Sequence, residues 1–365
     1  MHETESLETA ISEATIPSSE TPTTDNVLEI TDLCKHFPIV RGFFRRTEGY
    51  VKAVDGISFH VTRGETLALV GESGCGKTTT GRCVMRAIEP TSGQVLFRRH
   101  SGEEVEIMGL DRVTLRSTQR HMGMIFQDPF SSLNPRMTVL EIIGEPFVTR
   151  KLVKNRRELE EHVAQLLRDV RLDPTYMRRY PHAFSGGQRQ RIAIARALAL
   201  NPDFVVADEP VSALDVSVQA QILSLLRELQ AEQNLTYLFI THNLSVVEYI
   251  SNRVAVMYVG QIVELGDTDA IFSRPRHPYT EALLSAVPVI EATANGKQRE
   301  RITLEGDVAD PANVPVGCTF HPRCPYVQEI CRMEEPELNN LAGSGDHPHY
   351  VRCHFAEELA LQGVR

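Results

Sequence analysis

Between Val27 and Phe272 the chain switches repeatedly between two hydrophobic rhythms. Thr66–Val70, Phe204–Ala207, Thr236–Ile240 and Val254–Tyr258 are short, nearly continuous apolar runs. Such runs predict strands covered on both faces, as in a mainly parallel sheet flanked by helices. Between them the spacing lengthens. Ile222, Leu225, Leu226 and Leu229 recur at i, i+3, i+4 and i+7, which predicts a helix with one apolar face. Leu159, Val163, Leu166 and Val170 predict a second, with Arg156, Glu160, Glu161 and Arg168 mostly turned to water. After about Arg274 both rhythms stop. Pro275, Pro278, Pro288, Pro311, Pro315, Pro322 and Pro325 exclude long helices through most of this tail, and 291–301 reads as a polar linker. The pattern predicts an α/β domain over 27–273 and a small domain over 274–365, held by something besides an apolar core. Residues 1–26, rich in Ser, Thr and Glu, read as a disordered leader.

Composition narrows the setting. Hydrophobic residues make up 42% and charged residues 24%, the balance of a soluble globular protein. No apolar run reaches the roughly 18 residues of a spanning helix, and the leader lacks the apolar core of a signal peptide. A membrane role must therefore come through docking to another protein. The net charge of −10 argues against general nucleic-acid binding. Cys34, Cys75 and Cys83 are scattered, whereas Cys318, Cys324, Cys331 and Cys353 cluster near the end. That distribution suits a reducing compartment with one metal site.

Gly71-Glu72-Ser73-Gly74-Cys75-Gly76-Lys77-Thr78 fits G-x-x-x-x-G-K-[ST] and directly follows the apolar run Thr66–Val70. Glycines let the backbone bend so that several N–H groups point at phosphate oxygens, and the helix that follows adds its positive end. Lys77 is placed to reach the β- and γ-phosphates, Thr78 to ligate Mg²⁺, and Thr79 to continue the same helix start. The glycine spacing excludes a dinucleotide-binding loop.

Phe204–Ala207 runs into Asp208 and Glu209. At the C-terminal edge of a buried strand Asp208 can hold Mg²⁺, and Glu209 can orient and deprotonate an attacking water. Ser185-Gly186-Gly187-Gln188 opens an Arg- and Ala-rich helical run from Arg189 to Leu200, with Ser185 a good N-cap. The chain thus carries two anion-binding helix starts, where a simple kinase or GTPase needs one.

Together these segments resemble the ABC ATPase family. Gly71–Thr78 is similar to its Walker A, Phe204–Asp208 to its Walker B and Ser185–Gln188 to its signature motif, with Phe184 where Leu is commoner. Gln127, in Phe126-Gln127-Asp128-Pro129, resembles the Q-loop glutamine that contacts Mg²⁺ and couples to membrane subunits. Ser212-Ala213-Leu214-Asp215 resembles the D-loop, and His242 the switch histidine at the γ-phosphate. Phe37 is similar to the adenine-stacking aromatic, with Tyr50 its competitor. The resemblance implies a P-loop NTPase fold: a mainly parallel core sheet, an antiparallel β subdomain and a helical signature subdomain at about 128–200. It implies head-to-tail pairing, each ATP lying between the Walker A of one subunit and the signature of the other.

Phe126–Pro135 and Arg274-Pro275-Arg276-His277-Pro278-Tyr279-Thr280 resemble the dipeptide/oligopeptide importer branch, which includes nickel-uptake relatives. The wording around Gln127 and Glu145-Pro146 is most similar to the second of that branch's two ATPase subunits. The branch implies a heterodimer with another ATPase subunit, two permeases, an external solute-binding protein and a peripheral place on the cytoplasmic face of the membrane. His277-Pro278-Tyr279 itself reads as a proline turn over a packed aromatic. Residue chemistry alone leaves Cys318, Cys324, Cys331 and Cys353 open to zinc, with His321, His347, His349 and His354 nearby in sequence, or to an iron–sulfur cluster. The resemblance implies a [4Fe–4S] cluster there, in a structural role.

Overall fold

The computed structural model of the chain describes residues 25–41, 46–128, 132–287, 302–342 and 348–364. Most of the leader, the linker 291–301, Pro129, Pro288 and His347 fall outside the described residues.

Two long strands, β1 (Asn26–Arg41) and β2 (Arg46–Thr62), pair antiparallel with several register shifts. β3 (Thr66–Val70) enters a second sheet and leads into helix α1 (Lys77–Val84). β4 (Ser92–Arg98) and β5 (Glu104–Glu106) return to the first sheet and give it the order β2-β1-β4-β5. Helix α2 (Arg112–Thr118) precedes β6 (Met122–Ile125). Helices α3 (Val139–Thr149), α4 (Arg156–Asp169) and α5 (Gly186–Leu198) then pack together before β7 (Phe204–Asp208). Helix α6 (Val216–Gln233), β8 (Thr236–Thr241), α7 (Leu244–Ile250), β9 (Arg253–Tyr258) and β10 (Gln261–Asp267) follow. Within the second sheet β9-β3-β8-β7-β6 run parallel, and β10 turns back antiparallel beside β9.

The continuous apolar runs have a direct cause. Leu67 and Leu69 of β3 face one core while Ala68 and Val70 face another. In β7, Val205 and Ala207 face the helices while Phe204 and Val206 face the antiparallel sheet. Neither side of these strands meets water, so period-two alternation disappears. Helix α6 buries Ile222, Leu225, Leu226 and Leu229 as the spacing predicts, and Leu223 with them. In α4 the buried arc is Val163, Ala164 and Leu167, with Val170 at its end, whereas Leu159 and Leu166 are only partly covered. The arc is turned from the predicted stripe because α4 packs against both α3 and α5.

The tail is stitched into the main sheet. After α8 (Thr268–Ser273) come the short helices α9 (Pro278–Ser285) and α10 (Glu329–Met333), as the prolines dictate. β11 (Asn339–Asn340) and β12 (Tyr350–Val351) extend the sheet beyond β10, with Glu264 opposite Val351. Contrary to the expectation from the prolines, the tail also has apolar packing: Tyr279 and Phe320 share a core with Tyr258 and Phe272. Glu264, fully buried, is matched by the backbone N–H groups of Arg276 (2.7 Å) and His277 (3.1 Å) and by His349 Nε2 (2.8 Å). His277 Nδ1 accepts the Tyr279 N–H, and burial pushes the imidazole pKa down to about 4.

Candidate nucleotide site

The loop Gly71–Gly76 joins β3 to α1 with Gly71, Gly74 and Gly76 all at positive φ. At Gly76 (φ +110) a Cβ would lie 2.0 Å from the Ala53 carbonyl oxygen, and at Gly71 (φ +152) 2.1 Å from that of Met257. Only glycine fits either place. Gly76 caps α1 with no side-chain hydrogen bond, and no acidic residue sits in the first turn, so the helix keeps its backbone donors and its positive end for an anion. Lys77 Nζ is buried under the loop, donating to the carbonyls of Gly71 and Glu72 at 2.8 Å each. Ser73 and Gly74 are exposed at its crest, Cys75 is buried, and Thr79 is half-buried.

Thr78 Oγ1 donates to Asp208 Oδ1 at 2.8 Å, which joins the start of α1 to the end of β7. Burial raises the Asp208 pKa, opposed by the Thr78 hydrogen bond. The next residue, Glu209, takes a left-handed backbone (φ +47). Its carboxylate is gripped at both oxygens: Gln127 Nε2 donates to Oε2 at 2.8 Å, and His242 Nδ1 lies 3.0 Å from Oε1. Three side chains from distant parts of the chain thus converge beside the Lys77–Thr78–Asp208 group.

Ser185 caps α5 through a full capping box: its Oγ accepts the Gln188 N–H (3.3 Å) and the Gln188 side chain accepts the Ser185 N–H (3.1 Å). Gly187 lies against Val218 of α6, and Asp215 caps that helix through the Val218 N–H (3.0 Å). The turns Ser185–Gln188 and Ser212–Asp215 therefore form one corner. Across β1 and β2 Phe37 pairs with Val51 and Tyr50 with Pro38, so the two aromatics, 36% and 55% exposed, lie on opposite faces of the ribbon; Lys35 lies over the Phe37 ring at 4.9 Å.

Cys318, Cys324, Cys331 and Cys353 line one small cavity with Phe320, His321 and His354, and all four are free thiols. Burial lifts the Cys324 thiol pKa to about 12 and that of Cys353 to about 11. His349 is engaged elsewhere, on Glu264. Among the described residues the tightest group of ligand-type atoms is another one: Cys34, His36 and Asp55, within 4.8 Å of one another. There the Asp55 carboxylate already pairs with His36 (2.8 Å) and Lys52 (3.0 Å).

Two contacts to the phosphate loop escaped the sequence reading. The Tyr279 hydroxyl accepts the Glu72 N–H at 2.9 Å, and Arg323 forks onto the Glu72 carboxylate at 2.7 and 3.2 Å. The partners are 207 and 251 positions apart, beyond any local pattern. The hint was the tyrosine directly after the His277-Pro278 turn, taken as packing alone.

Comparison with known proteins agrees with this geometry. Residues 54–212 match the ABC transporter family model, and residues 263–331 match the oligopeptide/dipeptide transporter C-terminal region. The oligopeptide transport ATP-binding protein AppF of Bacillus subtilis is 52% identical, over 91% of this chain and 98% of its own. The di/tripeptide transport ATP-binding protein DppF of Pseudomonas aeruginosa is 44% identical, over 92% and 99%. Among solved structures, the ATP-binding cassette MJ0796, a dimer in a post-hydrolysis state with ADP and Pi, superposes with a TM-score of 0.57. It is 26% identical and covers 66% of this chain and 98% of its own. With relatives 52% and 44% identical over more than nine-tenths of its length, this chain belongs to the ABC transporter ATP-binding proteins that carry an oligopeptide/dipeptide transporter C-terminal region.

Proposed function

We propose that the chain is the ATP-hydrolysing subunit that powers peptide import, peripheral on the cytoplasmic face of the membrane. The observation that carries the reading is Glu209, held by Gln127 and His242 next to Lys77, Thr78 and Asp208. Lys77 and the loop N–H groups bind the β- and γ-phosphates of ATP. Glu209 accepts a proton from the attacking water, and its two side-chain partners fix the carboxylate for that task. The Thr78 hydroxyl, Asp208 carboxylate and Gln127 amide supply hard oxygen donors suited to Mg²⁺, which neutralises phosphate charge when bound. The Ser185–Gln188 corner serves the ATP of a second, different ATPase subunit in a head-to-tail pair. Either Phe37 or Tyr50 stacks on adenine.

Peptide cargo is supported by the relatives AppF and DppF, an oligopeptide and a di/tripeptide transport ATP-binding protein. No described helix is long and apolar enough to cross a membrane. In this reading coupling to transport runs through two permeases, fed by an external binding protein. A cavity of about 320 Å³ between β6 and helices α3 and α5, lined by Phe126, Glu145, Arg150 and Arg196, suits a permease element. Support for a metal centre in the tail is the donor set, four free thiols lining one small cavity. Cys318, Cys324, Cys331 and Cys353 would hold a [4Fe–4S] cluster, with zinc the alternative; either would cross-link the tail.

The test is turnover of the complex purified with its permeases. Peptide-stimulated ATP hydrolysis that falls at least about a hundred-fold in Glu209→Gln, with ATP still bound, is the expected outcome. Undiminished turnover in that variant would overturn the assignment of the base.

A further inference from the structure

Glu72 is an anionic side chain on a loop built to bind anions. The tail meets it at two points and the loop's own lysine at a third. Its N–H is taken by Tyr279, its carboxylate by Arg323 and its carbonyl by Lys77. The Arg323 side chain is 7% exposed and that of Glu72 29%, so solvent screens this pair weakly. Arg323 sits in the tight turn His321–Arg323, directly before Cys324, while Tyr279 packs on Phe320 of the same segment at 5.4 Å between ring centroids. The phosphate loop therefore rests on the cysteine-bearing tail.

We propose that Arg323 is the counter-ion of the phosphate loop's own carboxylate, so that the tail contributes directly to nucleotide affinity. The inference rests on the reading of Gly71–Thr78 as an ATP site. A triphosphate brings several negative charges to a loop that already carries one. Left unpaired, the Glu72 carboxylate repels it; paired in a bidentate fork with a mostly buried guanidinium, it does not. Arg323 is thus a positioning residue that acts through Glu72.

Equilibrium binding of Mg·ATP to the full chain in its membrane complex tests this in four forms: wild type, Arg323→Met, Glu72→Gln and the double variant. Arg323→Met should weaken binding roughly ten-fold by leaving a charge uncompensated. Glu72→Gln sets the reference for the double variant, since it removes the charge that Arg323 compensates. The double variant should bind within roughly two-fold of Glu72→Gln, because no charge is left to compensate. A structural role for Arg323 predicts no such rescue, so a double variant as weak as Arg323→Met overturns the proposal. Wild-type affinity in Arg323→Met overturns it too. If Arg323→Met does not fold, Arg323→Lys decides: it keeps the charge and should bind within about three-fold of wild type, and a ten-fold loss counts against the counter-ion. Failure of the wild type itself to bind Mg·ATP would instead remove the nucleotide reading.

Discussion

Helices α1 and α5 both start on glycine-rich turns, yet their first turns are finished in opposite ways. At α1 the cap is Gly76, left-handed and without a side-chain hydrogen bond. At α5 the cap is Ser185, and a reciprocal box with Gln188 already satisfies two backbone donors. An uncapped helix start is normally a cost to stability. Here it leaves the donors for phosphate. The capped start presents a closed corner instead. In the proposed function the first turn holds the subunit's own nucleotide and the second meets the ATP of a partner.

The sharpest way to break this contrast is alanine at the glycine beside each lysine or glutamine. Gly76→Ala forces a Cβ onto the Ala53 carbonyl and strains a φ of +110, so nucleotide binding should fall below detection in a fluorescent-ATP titration. Gly187→Ala strains no left-handed backbone, but its Cβ would lie 2.5 Å from Val218 Cγ1 and press the turn away from α6. It should spare binding to the isolated chain and lower turnover only in the assembled complex. Next in size is Asp208→Asn. Its buried carboxylate is held against a desolvation cost, so the amide should raise the melting temperature at neutral pH while turnover is lost. Ser185→Ala is smaller: loss of the cap should cost about 1 kcal/mol in chemical denaturation, with ATP binding to the single subunit intact. Smallest is Cys324→Ser, which loosens the turn that carries Arg323. It should weaken Mg·ATP binding by about two- to three-fold, and not at all once Glu72 is glutamine.

The strands that carry the site were legible because they are covered twice. Thr66–Val70, Phe204–Ala207, Thr236–Ile240 and Val254–Tyr258 all fall within β3, β7, β8 and β9. Gly71–Thr78 and the Asp208–Glu209 pair were legible because their chemistry is packed into a few adjacent positions. Leu166 misled in α4 because two neighbours, not one, define what that helix buries. β11 and β12 are two residues each and exist only by pairing with β10 and each other, so no local preference announces them. Arg323 and Tyr279 were invisible for a related reason: their meaning lies at Glu72, which the fold brings near and the sequence keeps far.

β12 also closes a side of the molecule that would otherwise be adhesive. It lies along β10 with Leu265 opposite Tyr350, and the Arg352 N–H continues the ladder to the Val263 carbonyl at 2.8 Å. A chain cut after α8 would leave that row of backbone donors and acceptors open next to Ile262, Val263 and Leu265. Exposed edges of this kind recruit strands from neighbouring molecules. The tail thus acts as a selvedge for the ATPase sheet, and its removal would turn the subunit into a seed for aggregation.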